Sequence, residues 1–168
     1  LRECESAFVH HGNNAELVEM IPSIIEHGGD RTRFAMGSVL IDPNSPNNGI
    51  PWTQLERTLS VCKRLDVIMN FPATAMKRIK GSMDRTGHAM GGSVSLGDAM
   101  RRLKKQYWLI RKPRGAHQFT IIVGRNTEWN DHKALEFFDI RSQVGRELFA
   151  KATLTEDELK AFPLQQTL

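Results

Sequence analysis

Asp42, Pro43 and Asn44 close an apolar run, Ser38-Val39-Leu40-Ile41, and set a carboxylate, a rigid ring and an amide at its mouth. A carboxylate so placed suits a cation, an amine or a hydroxyl, and an amide can both donate and accept. Two other runs end in a similar way. Ala7–Gly12 leads into Asn13 and Asn14, and Leu65–Phe71 carries Asn70 just ahead of Pro72. Proline lacks an N–H and fixes φ, so the carbonyls before Pro43 and Pro72 are held in set directions. Beside Asp or Asn, such carbonyls can orient an amine or a ribose. Any one of these endings is also the chemistry of a plain turn, since Asp and Asn before Pro start turns and Asn-Asn-Gly is loop sequence. Three polar endings on successive runs point to a site.

Other chemistries find less. His10 and His11 are adjacent on a candidate strand, so they point to opposite faces and do not share one metal comfortably. His88, His117 and His132 are lone loop histidines. Asp42 with Glu56 would begin a nuclease metal pair, but nothing supplies the remaining ligands, and no metal is expected. There is no Gly-x-Ser-x-Gly elbow, no phosphate loop and no Cys–His pairing. Trp52 reads as core packing, with stacking on a planar ligand as the alternative.

The elements that must position these residues follow from periodicity. Gly37–Asp42 and Leu65–Phe71 are near-continuous apolar runs, the pattern of strands buried on both faces of a parallel sheet. Residues 7–12, 107–111 and 118–124 complete the strand set. Helices fall between them. Asn14 is placed to cap a helix with Leu17, Met20, Ile21, Ile24 and Ile25 at helical spacing, kinked or restarted at Pro22. Pro51 suits the first position of a helix over 51–64, and Pro72 is placed to open a short one. Ser95 with Asp98, and Thr155 with Glu158, resemble capping boxes. Residues 80–97 show no period and read as a loop. Alternating strands and helices predict an α/β sheet. Only residues 112–117 separate the last two strands, which forces an antiparallel hairpin.

Length bounds the chain to about one domain: 168 residues, 40% hydrophobic and 25% charged. No apolar run reaches the length of a membrane span, and no membrane partner is expected. Cys4 and Cys62 make neither a disulfide framework nor a zinc site, which favours a reducing, cytoplasmic setting. Lys and Arg outnumber Asp and Glu by 23 to 19. Arg101, Arg102, Lys104, Lys105, Arg111, Lys112 and Arg114 gather in one stretch with no acid between them. That stretch is either a docking surface for nucleic acid or an acidic partner, or the solvated face of a helix and a hairpin.

"LIDPNSPNNGIPWTQLERTL", "RLDVIMNFPATAMKRI" and "YWLIRKPRGAHQFTIIVGRN" together resemble the three-Cys-motif partner family, which is similar to class I S-adenosylmethionine-dependent methyltransferases. The resemblance spans most of residues 7–126 and continues faintly into 137–158. It implies a Rossmann-like, mostly parallel sheet flanked by helices, with a C-terminal antiparallel hairpin strand. Residues 127–168 would form a helical extension packed on it. It implies S-adenosylmethionine as cofactor, with Gly12, Asn13 and Asn14 near its adenine, and Asp42, Pro43 and Asn44 holding the group to be methylated. Asn70, Phe71, Pro72 and Trp52 would contact the substrate. A three-cysteine-motif protein encoded nearby is the implied partner. Asn44 and Ser45 stand where nucleic-acid amine methyltransferases carry a second proline and an aromatic, so no stacking platform for a flipped base is expected. The first two strands of such a sheet, with the Gly-rich turn and ribose-binding acid, would precede residue 1. The chain is thus expected to be the carboxyl two-thirds of a transferase, acceptor unknown, or else a non-catalytic docking module.

Overall fold

The computed structural model describes residues 13–27, 32–42, 50–72, 96–112 and 119–153. The candidate strand at 7–12, Gly12, Pro43, Asn44, Arg114, the helix expected after Pro72, Ser95 and the Thr155–Glu158 box lie outside them. So do Cys4, His10, His11, His88 and His117.

Helix α1, Asn14–His27, runs through Pro22. Its cap is one residue earlier than the pattern suggested: Asn13 Oδ1 accepts the Ala15 N–H at 2.9 Å. Strand β1, Gly37–Ile41, leads by way of Asp42 towards α2, Trp52–Val61. Pro51 sits just outside α2 as its cap. Strand β2 spans Leu65–Pro72, so Pro72 is the last strand residue, paired with Phe119. Helix α3, Leu96–Leu103, buries Leu96, Ala99, Met100 and Leu103, a stripe at i, i+3, i+4 and i+7. Strands β3, Tyr107–Arg111, and β4, Phe119–Arg125, are an antiparallel pair as expected. The region expected to be a helical extension contributes a strand, β5, Phe137–Asp139, before helix α4, Gln143–Thr153.

Among the described residues five strands form an open mixed sheet in the order β1-β2-β4-β3-β5. Only β1 and β2 pair in parallel; the other three neighbouring pairs are antiparallel. The expected mostly parallel sheet is corrected accordingly. The reason is local. The hairpin returns β4 between β2 and β3, so β3 keeps the direction of β1 and β2 but never touches them. The short β5 then turns back along β3.

One face of the sheet carries the larger core. Val67, Met69, Trp108, Ile110 and Ile122 meet Leu55 and Leu59 of α2, the α3 stripe and Ala152 of α4, with Val18, Ile21 and Ile25 of α1 packed against them. Thr58 ties α1 to α2 by donating to the Val18 carbonyl at 2.7 Å. The other face holds a smaller cluster: Leu109, Val123 and Phe137, with Ile68, Ile121 and Trp129 beside them. β1 lies at the sheet's edge, and Leu40 is 66% exposed. The expectation that β1 is buried on both faces is therefore wrong. An apolar run marks a strand but does not say which of its faces another layer covers.

Candidate functional site

Two of the residues singled out by chemistry meet. β1 and β2 run in parallel with Ile41 beside Met69, so the next residues, Asp42 just past the end of β1 and Asn70 still within β2, stand side by side. Asn70 Nδ2 donates to Asp42 Oδ1 at 2.9 Å. Alternation along each strand explains their setting: Ile41 and Met69 turn into the larger core, so Asp42 and Asn70 turn to the other face. Asp42 is exposed and Asn70 half-buried. A carboxylate acceptor, steadied by an amide that keeps its own oxygen for another donor, can bind an amine or a hydroxyl. The position also obeys the rule that ligands of α/β sheets lie beyond the carboxyl ends of parallel strands.

The remaining expected residues fare differently. Asn13 uses its side-chain oxygen to cap α1, and Asn14 is exposed in that helix's first turn. Trp52 is half-buried and packs with Ile50 against the core. The side chains of Phe71 and Pro72 lie outside the described residues.

The basic stretch does not make one surface, which corrects its reading as a single docking face. Lys105 is only 6% exposed; its Nζ donates to the Leu65 carbonyl at 2.7 Å. Burial lowers its pKa, against the attraction of Asp66. Nearby Cys62 is fully buried, and burial raises its thiol pKa, helped by Glu26. Arg101 pairs with Asp98, and Lys104 Nζ lies 3.4 Å from Glu56. Arg111 sits half-buried with its guanidinium 5.7 Å from the Phe137 ring. Lys112 is exposed, and its backbone N–H donates to the Glu136 carbonyl. Strand β3 separates the two halves. Arg101–Lys105 lie before it and Arg111–Lys112 at its far end, about 17 Å away at 3.3 Å per residue.

The half at the amino end joins residues that the sequence did not group with it. Arg57 and Lys63, from α2 and the turn after it, line a cleft of about 610 Å³ together with Arg102 and Lys104. Some 40 residues of chain divide the two pairs, and only the packing of α2 on α3 unites them. Elsewhere, Arg125 Nε lies 2.8 Å from Asp66 Oδ2 and its guanidinium 5.4 Å from the Trp129 ring. His132 is half-buried, with Nδ1 2.8 Å from the Phe137 carbonyl oxygen. Among the described residues no group of His, Cys, Asp and Glu is arranged to hold a metal. No described helix is long and apolar enough to cross a membrane.

Set against models of protein families, curated proteins and solved structures, the chain matches none.

Proposed function

We propose that the chain is the acceptor-holding part of an S-adenosylmethionine-dependent methyltransferase-like protein, with Asp42 and Asn70 positioning the group to be methylated. The observation that carries this reading is the hydrogen bond between those two residues across the mouths of the parallel strands. The likeness in motif order supports it, as does the shared direction of β1, β2 and β3 with an antiparallel hairpin strand between them. On this reading β1, terminal in the described strand order, would pair on its other side with the earlier strands of a Rossmann-like sheet.

Asp42 would accept a hydrogen bond from the acceptor's N–H or O–H, and so aim its lone pair. Asn70 would hold the carboxylate in one rotamer. Alignment of this kind lowers a barrier by replacing a chance encounter with a fixed approach. An amine acceptor needs no base; for a hydroxyl acceptor, Asp42 is the group placed to take the proton. No step is assigned to the described residues beyond holding the acceptor. The three-cysteine-motif protein is proposed as a companion on the same terms.

Calorimetric titration of S-adenosylmethionine into the full-length natural protein tests the reading. Saturable binding is expected. Absence of heat up to millimolar cofactor contradicts it.

A further inference from the structure

The cleft between α2 and α3 lies at the opposite end of the sheet from Asp42 and Asn70. Lys63 precedes β2, Lys104 precedes β3, and Asn126 follows the antiparallel β4, so all three stand at the same edge. The edge is braced. Asn126 donates to the Lys63 carbonyl at 2.8 Å and accepts from the Gln106 N–H at 3.0 Å, which pins the turn before β2 to the turn before β3.

Among the described residues four cations line this cleft, and Glu56 is the one acid in its wall. Among the described residues the Lys63 ammonium and the Arg102 guanidinium have no ion-pair or hydrogen-bond partner. Arg57 lies 3.5 Å from Glu19 and Lys104 3.4 Å from Glu56, both pairs exposed. Exposed pairs of this kind contribute little and are readily exchanged for a stronger anion. Among the described residues no aromatic ring lines the cleft, so none of them offers a platform on which a base could stack.

Helix polarity narrows the ligand. Lys63 follows the last turn of α2 and Arg102 belongs to the last turn of α3. Both helices present carbonyl ends here, and the partial negative charge of those ends disfavours a phosphate drawn deep among them. Anion binding must instead use long side chains reaching outward from two helices. That suits successive phosphates of an extended strand better than one compact polyphosphate.

We propose that this cleft is a phosphate-binding groove for a nucleic-acid strand, recognised through its backbone and not its bases. Arg102 supplies a forked donor for one phosphate and Lys63 a point charge for a neighbouring one. Arg57 and Lys104 leave their surface carboxylates to extend the contact.

The test is fluorescence anisotropy with labelled oligodeoxythymidylate at several salt concentrations. The intact protein should bind, with affinity falling steeply as salt rises. Lys63→Gln with Arg102→Gln should weaken binding about tenfold or more and reduce the salt slope by about 1.4, roughly 0.7 for each phosphate no longer neutralised. Lys133→Gln with Arg146→Gln, exposed cations elsewhere, should leave both unchanged. Three outcomes overturn the proposal. The intact protein fails to bind the strand; the Lys63/Arg102 variant binds as tightly as the parent while only its thermal midpoint falls; or inorganic triphosphate binds and the strand does not. None of these bears on Asp42 and Asn70, so the transferase proposal stands or falls separately.

Discussion

Lys105 Nζ donates to the backbone carbonyl of Leu65 at 2.7 Å, and the lysine is buried where the chain enters β2. Three of its neighbours along the chain, Arg101, Arg102 and Lys104, are exposed. Lys105 is thus a brace between the approach to β3 and the start of β2. Lys105→Ala would leave that carbonyl unpartnered and open a void, with an expected loss of about 1–3 kcal/mol. Lys105→Met restores the volume without the donor and should recover only part of the loss. Urea unfolding midpoints check both.

Lys105 and Cys62 also set an alkaline signature. Burial lowers the lysine's pKa below its ordinary 10.5, so the unfolded chain holds that proton to higher pH. Stability contributed by this group therefore rises as pH climbs from the folded value towards 10.5. The raised thiol pKa of Cys62 acts oppositely, and its contribution falls as pH passes above the ordinary 9.0. In Cys62→Ala the lysine's rise should be unmasked, and adding Lys105→Met should remove it. Unfolding midpoints across the alkaline range are the measurement.

The indole of Trp108 lies against Gly124 on the neighbouring strand. A Cβ at position 124 would stand 2.6 Å from the indole Cζ3, and the tryptophan is only 8% exposed. Gly124→Ala should destabilise by about 1–3 kcal/mol through overpacking. Pairing it with Trp108→Leu should be milder than the sum of the two single changes, as a double-mutant cycle will show. Gly145→Ala should be worse than Gly124→Ala, because the new Cβ would meet the Asp139 carbonyl, which is backbone and cannot swing aside.

Asp66 and Arg125 face each other across the antiparallel β2–β4 pair, each side chain less than a third exposed. Their coupling should be about 1 kcal/mol in a double-mutant cycle. Arg125→Lys should forfeit most of it together with the Trp129 stacking, since an ammonium reproduces neither the forked geometry nor the flat guanidinium surface.

The strands most legible in the sequence were those whose apolar runs are bounded by turn residues, such as Tyr107–Arg111 and Leu65–Pro72. β5 is not legible because three residues, Phe137–Asp139, are too few to show a period; its strand geometry comes from pairing with β3. The sheet's mixed character depends on where the hairpin inserts, which spacing does not encode. The Asp42–Asn70 pair can be suspected from two polar strand ends, but their contact requires the parallel register of β1 and β2. The basic stretch misleads because linear clustering ignores which side chain turns inward. Lys105 does, and the charges that join its exposed neighbours, Arg57 and Lys63, come from a distant helix and the turn after it.

The central claim is that Asp42, held by Asn70, positions a methyl acceptor. The most direct measurement is transfer of a radiolabelled methyl group from S-adenosylmethionine to fractionated cellular acceptors by the full-length natural protein. It is run beside Asp42→Asn, with calorimetric cofactor binding and the thermal midpoint followed in both. The parent should label one acceptor class, and Asp42→Asn should lower that labelling at least about tenfold, as expected when an aligning hydrogen bond is removed, with cofactor binding and midpoint unchanged. Labelling by Asp42→Asn equal to that of the parent, or no labelling by a parent that binds cofactor, would contradict the account.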